Sequence, residues 1–190
     1  FKYTSGQVHG TGTNSTILGA SSSSSLNTWY NNNLANDAEY IDGNAGFCGD
    51  RTTYSGSGTG TSTTYYAAYN RLENGNNPSL QCDSRDVYTT TDSSSGNKSL
   101  TYPIGLLTAD EYVLAGSWNS YLYTRQTYWT MSPSSYNGGA FVFVVDSIGG
   151  LGWYRVDSTT SGVRPVINLK ADVQVVSGDG TASNPFVIAT

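Results

Sequence analysis

The hydrophobic pattern of this chain is densest between residues 128 and 169, YWTMSPSSYNGGAFVFVVDSIGGLGWYRVDSTTSGVRPVINL. Residues 140–146 (AFVFVVD) are aromatic and β-branched, the types that fit a pleated, packed surface, and they predict a strand. Residues 151–157 (LGWYRVD) predict a second, because Gly149-Gly150 ahead of them supplies the positive φ of a tight hairpin. Residues 163–169 (VRPVINL) predict a third. Pro165 confines it to an edge or a bulge, since proline donates no ladder hydrogen bond. Trp129, Met131 and Pro133 form an apolar approach to these strands. Phe141, Phe143 and Val145 alternate with Val142 and Val144, so the first strand is apolar on both faces and should be covered on both. The cover is either the rest of this chain or, on one side, a neighbouring subunit.

Before residue 128 the pattern is more polar. Leu26, Trp29, Tyr30 and Leu34 fall at helical spacing behind Ser25 as N-cap, which predicts an amphipathic helix that buries Trp29. Residues 43–51 read as a turn and a short strand, with Asp50 and Arg51 placed to pair with each other. Residues 55–64 (SGSGTGTSTT) lack the Gly-Lys-Ser/Thr of a phosphate loop and read as a flexible loop. Residues 65–72 (YYAAYNRL) are a short helix or strand, and residues 73–97 are loop-rich around a short strand at 86–91. Thr108-Ala109-Asp110-Glu111 is a capping box that starts a helix running to about residue 115, with Gly116 at its end. The acids there suit the helix N-terminus and read as structural. Trp118, Tyr121, Tyr123 and Tyr128 surround Arg125 as either core or contact surface. Residues 173–176 and 186–189 predict a terminal hairpin turned by S-G-D-G and pairing back towards the N-terminal part. Residues 1–25 form an extended polar arm, either a flexible leader or a strand donated to another subunit. Residues 26–190 form one α+β domain: a twisted antiparallel sheet, two short helices and long loops.

Composition narrows the partners. Only 12% of residues are charged and the net charge is −5, with lysine only at positions 2, 98 and 170. A chain with no basic stripe is a poor match for nucleic acid or for an anionic membrane surface. It also has no apolar run long enough to cross a bilayer. Its 15 Tyr and 4 Trp instead supply broad contact area at low entropic cost, beside neutral hydrogen-bonding groups. The start at Phe1 in place of Met fits an exported, processed segment. Cys48 and Cys82 are either two buried thiols or a disulfide; a bridge would close a loop of about 35 residues and restrict the unfolded chain by roughly 3–4 kcal/mol. The export-like composition favours the bridge.

Catalytic chemistry is sparse. His9, the sole histidine, lies in the polar arm, so a nucleophile–histidine device would have to recruit that arm. One histidine and two distant cysteines do not make a zinc set. Asp146 and Asp157 flank the predicted hairpin, and nothing marks them as a paired acid and base.

The order W-T-x-S-P (129–133), A-x-V-x-x-V (140–145), a G-G turn and G-V-R-P-V-I-N-L (162–169) resembles the C-terminal half of a C-type-lectin-like domain. It is similar to the version shared by formylglycine-generating enzymes and the variable proteins of diversity-generating retroelements. It is closer still to bacterial surface domains, some fused to pilin-like helices. F-C-G-D-R (47–51) and L-T-Y-P-I-G-L-L-T-A-D-E (100–111) fit the same group. The resemblance implies a lectin-like fold at a cell surface. It also implies that Tyr136, Asn137, Ile148, Trp153 and Tyr154, at or beside the hairpin turns, contact ligand; Asp146, at the hairpin's flank, counts with them as a candidate contact. The late cysteine pair of formylglycine-generating enzymes is missing, as are the carboxylate triplets of calcium-dependent lectins; Trp118-Asn119-Ser120 lacks the final acid. The expectation is therefore a non-catalytic extracellular recognition or adhesion module without metal or cofactor. Its partner is a protein or glycan ligand, or copies of itself if it is a filament subunit assembled through residues 1–25.

Overall fold

The longest described strand is one that its own proline conceals. A computed structural model describes residues 26–58, 62–83, 86–93, 96–97, 100–158, 160–181 and 183–189. The expected arm, with His9 and the Ser25 cap, lies outside them. The elements begin with α1 (Leu26–Asn33), a 3-10 turn (Ala35–Tyr40), β1 (Phe47–Cys48), β2 (Thr53–Ser55) and β3 (Thr64–Tyr66). The single-turn α2 (Ala67–Tyr69) follows and widens into a π-type turn (Asn70–Asn74). Next come β4 (Val87–Tyr88), β5 (Asp92–Ser93), β6 (Gly96–Asn97), α3 (Ala109–Leu114) and a 3-10 turn (Ser117–Asn119). The chain ends in β7 (Tyr128–Tyr136), β8 (Ala140–Val145), β9 (Leu151–Arg155), β10 (Val175–Ser177) and β11 (Val187–Ile188). The molecule is thus mixed α+β, with α1 and α3 as the two expected short helices and α2 as an added turn.

Five strands pair antiparallel in the order β2-β3-β7-β8-β9. In β7, Trp129, Met131 and Pro133 alternate with Thr130, Ser132 and Ser134. The register against β8 shifts on both sides of Pro133, which places the proline at a bulge. The hydroxyl face of β7 is buried: Thr130 Oγ1 donates to the Phe143 carbonyl at 2.8 Å, and Ser132 Oγ accepts the Ala109 N–H at 3.0 Å. The second bond satisfies an otherwise orphaned donor at the start of α3.

Both faces of β8 are covered by this chain. Val142 and Val144 join Trp129, Met131, Leu26, Ile104 and Leu106 in the larger cluster. On the other face Phe143 meets Ala68 of α2 and Ala109 of α3, while Val145 meets Tyr112 and Tyr128. The two alanines let short helical turns sit close to the sheet. No neighbouring subunit is needed to cover this strand.

Three expectations are corrected. In α1 the buried residues are Leu26 and Tyr30, one turn apart, whereas Trp29 is 41% exposed on the flank; Tyr30 wins the core position by stacking on Tyr102 at 4.9 Å. Residues 163–169 are not a strand. They serve two partners in turn, through bridges Gly105↔Val166 and Ile41↔Leu169, with Pro165 unable to extend either ladder. Among the described residues the terminal hairpin β10–β11 pairs only with itself; it is the segment before it that meets the N-terminal part, where Lys170 N–H donates to Tyr40 O at 2.9 Å and Asp42 N–H to Asn168 O at 2.8 Å.

Candidate functional site

The predicted contact residues are distributed by strand geometry rather than gathered. Tyr136 and Asn137 lie at the β7–β8 turn, and Asp146 and Ile148 at the β8–β9 turn. Those turns sit at opposite ends of β8, which at about 3.3 Å per residue separates them by about 20 Å. Trp153 pairs opposite Phe143 and Tyr154 opposite Val142, so the two aromatic neighbours occupy opposite faces of the sheet.

Asp146 spends its carboxylate on its own turn. Its Oδ1 accepts the N–H groups of Ile148 at 2.9 Å and Gly150 at 2.8 Å, and its own N–H donates to Gly150 O at 2.9 Å. Gly149 has φ of +88°, and a Cβ there would lie 2.6 Å from Trp118 Cβ. Tyr112 OH donates to Gly149 O at 2.9 Å and Tyr123 OH to Ser147 O at 3.1 Å. The turn is therefore fastened to residues 112–123 and holds Ile148 at 80% exposure. The aromatic cluster read as core or surface divides: Trp118 and Tyr121 face solvent and Tyr128 is buried.

A row of rings lies on the Trp153 face. Tyr65 and Tyr69 have centroids 4.6 Å apart, Tyr69 and Trp153 meet edge to face at 6.1 Å, and Trp153 meets buried Phe143 at 6.5 Å. β3 places Tyr65 opposite Ser135 of β7, α2 raises Tyr69 one turn later, and β9 brings Trp153. Tyr65 and Tyr69 are half-buried and Trp153 is 43% exposed. The i, i+4 spacing of the two tyrosines was the available signal for half of this row; the third ring arrives only through sheet order.

The Asp50–Arg51 pair expected from adjacency does not form. Asp50 adopts φ of 44°, and the neighbours diverge to different partners. Arg51 Nε donates to Asp86 Oδ1 at 2.8 Å and its backbone N–H to Asp86 Oδ2 at 2.9 Å, with the guanidinium over the Tyr88 ring. Arg71 grips Asp110 through two bonds of 2.8 and 2.7 Å and also donates to Asp50. Asp110 further accepts the Ser79 N–H at 2.8 Å. It is more than a helix-start acid: it anchors the loop that leads to Cys82. Burial pushes the Asp50 carboxyl above its usual range, outweighing the pull of Arg71, and the nearby Asp110 and Asp86 charges add to the rise. The two acids and Arg71 border a cavity of about 250 Å³ that the Cys48–Cys82 disulfide also lines. With both carboxylates tied to one guanidinium, the cluster acts as a clamp between loop and helix.

Among the described residues no three His, Cys, Asp or Glu side chains group to hold a metal ion, and no helix is long and apolar enough to cross a membrane. No known protein family, curated protein or solved structure matches the chain.

Proposed function

We propose that this chain is a non-catalytic extracellular recognition or adhesion module of a bacterial surface, built on a C-type-lectin-like plan, with its contact shelf at Tyr65, Tyr69 and Trp153. The observation that carries the reading is the row of half-exposed rings resting on Phe143. Rings fixed by packing lose little freedom when a ligand covers them, and they present flat apolar faces beside polar edges. The motif resemblance points to Trp153 independently. The Cys48–Cys82 bridge fits an oxidising compartment. The ligand class is a protein or glycan with an apolar or sugar face to lay on the rings.

The test is a glycan array followed by titration of the best hit, read by intrinsic tryptophan fluorescence. Tyr69→Ala and Trp153→Ala should each weaken binding by about tenfold, given that stacked aromatic contacts are worth on the order of 1 kcal/mol or more. Tyr154→Ala, on the opposite face, should leave it unchanged. Loss in the Tyr154 variant with retention in the Trp153 variant would move the site to the other face.

A second reading, a structural subunit of an extracellular filament, is favoured by one observation. The β10–β11 ribbon exposes Val175, Val176, Phe186 and Val187, each by half or more. Exposed apolar residues on an open two-stranded ribbon invite association. Electron microscopy of the full chain should then show ordered polymers, absent when residues 1–25 are removed if that arm is the joint. Polymers that survive the truncation would place the joint elsewhere.

A further inference from the structure

We infer that the cleft between residues 124–128, 147 and 160–164 binds the carboxylate of an acidic sugar. It has a volume of about 580 Å³, within the roughly 300–1,000 Å³ of small-ligand sites. None of the rings of the aromatic row lines it, so the inference goes beyond the shelf proposed above.

Charge distribution carries the argument. The chain is acidic overall, with a net charge of −5. Arg51, Arg71 and Arg155 are each neutralised by a carboxylate: Asp86, Asp50 with Asp110, and Asp157. Among the described residues neither Arg125 nor Arg164 pairs with an acid, and these two line the same cleft, which has no Asp or Glu in its wall. Among the described residues, an acidic protein has thus left two uncompensated guanidinium groups at one concavity.

The two arginines are held differently. Arg164 Nη1 donates to Leu122 O at 2.7 Å, and its guanidinium lies 5.5 Å from the Tyr128 ring centre. Tyr128 OH donates to the same carbonyl at 2.8 Å. Arg164 is therefore fixed in place while most of its donors remain for a ligand. Arg125 is exposed and has φ of 59°, a left-handed conformation that glycine or asparagine adopts at less cost. A planar guanidinium matches a carboxylate through two parallel hydrogen bonds. Thr124, Thr127, Ser147 and Thr160 add hydroxyls around the wall. That combination, one anionic group flanked by many neutral hydrogen-bonding partners, is the chemistry of a uronic-type sugar.

The experiment is isothermal titration of the full chain with sodium glucuronate, glucose and sodium acetate at low ionic strength. Glucuronate should bind with a dissociation constant on the order of millimolar, glucose and acetate at least about tenfold more weakly. Arg125→Ala should weaken glucuronate binding by about tenfold with an unchanged melting temperature, since the Arg125 side chain is exposed; about 1.4 kcal/mol corresponds to that factor. Arg155→Ala, whose guanidinium is already paired, should bind as the parent does. Raised salt should weaken binding in the parent. Equal glucuronate binding by the parent and the Arg125 variant, or no binding by the parent, overturns the site. Acetate binding as tightly as glucuronate overturns the sugar as its ligand.

Discussion

Asp50 shows burial outweighing a partner. Its carboxyl is 8% exposed and touches Arg71, yet it titrates above its ordinary value of 3.8 because burial disfavours its charge by more than Arg71 favours it, and the nearby Asp110 and Asp86 charges add to the rise. With the folded pKa raised, the folded state binds the proton more tightly than the unfolded chain. Asp50 therefore penalises stability at neutral pH, and the penalty fades as pH falls through the raised folded value towards 3.8. Urea denaturation across pH 4 to 8 should show Asp50→Asn gaining on the parent as pH rises. A constant difference between the two would mean that Asp50 does not titrate in this range. The capping box is simpler. Thr108 Oγ1 accepts the Glu111 N–H at 3.1 Å, and Glu111 Oε2 accepts the Thr108 N–H at 2.7 Å. Thr108→Ala should lower stability by about 1 kcal/mol and Thr108→Ser should restore most of it, read from denaturation midpoints.

Elements with strong local signals were legible in the sequence. β8, β9, the Gly-Gly turn and the α3 cap each rest on neighbours within a few residues. β7 was not, although W-T-M-S-P-S alternates cleanly, because a proline inside a run argues against a central strand. Thr130 and Ser132 point inward to backbone groups of β8 and α3, which no local pattern reveals. The aromatic row was legible only in pieces for the same reason: Tyr65 and Tyr69 share i, i+4 spacing and Trp153 stood out beside the hairpin, whereas only the β3-β7-β8-β9 strand order brings the three together. The buried face of β7 makes a sharp contrast testable. Ser132→Ala strands the buried Ala109 N–H and should cost about 1–3 kcal/mol. Ser134 Oγ is buried without a hydrogen-bond partner, so Ser134→Ala should be neutral or stabilising in the same urea titration. Equal losses in both would show that hydroxyl packing, not hydrogen bonding, governs this face.

At the scale of the whole molecule, the Cys48–Cys82 bridge spans 34 positions and encloses β2, β3 and α2. The end of the loop next to Cys82 exposes Leu80 at 69%, so apolar burial contributes little at that end. The Ser79–Asp110 bond is a second tether. Reduction should destabilise the fold by roughly 3–4 kcal/mol through the freed loop entropy, seen as a lower melting temperature. An unchanged melting temperature would assign the loop's order to the Asp110 clamp.

The position of that bridge along the chain also orders events in time. Both cysteines precede β7, and Thr64 of β3 must wait for Tyr136 before it gains its inner neighbour. A chain that emerges from its N-terminus can therefore complete the covalent ring while three of the five sheet strands are still missing. The arriving β7 then meets an edge whose partners are already linked, and the slow step of assembly becomes one long-range pairing in place of several. The order of the chain thus allows oxidation before the core that the bridge adjoins is complete.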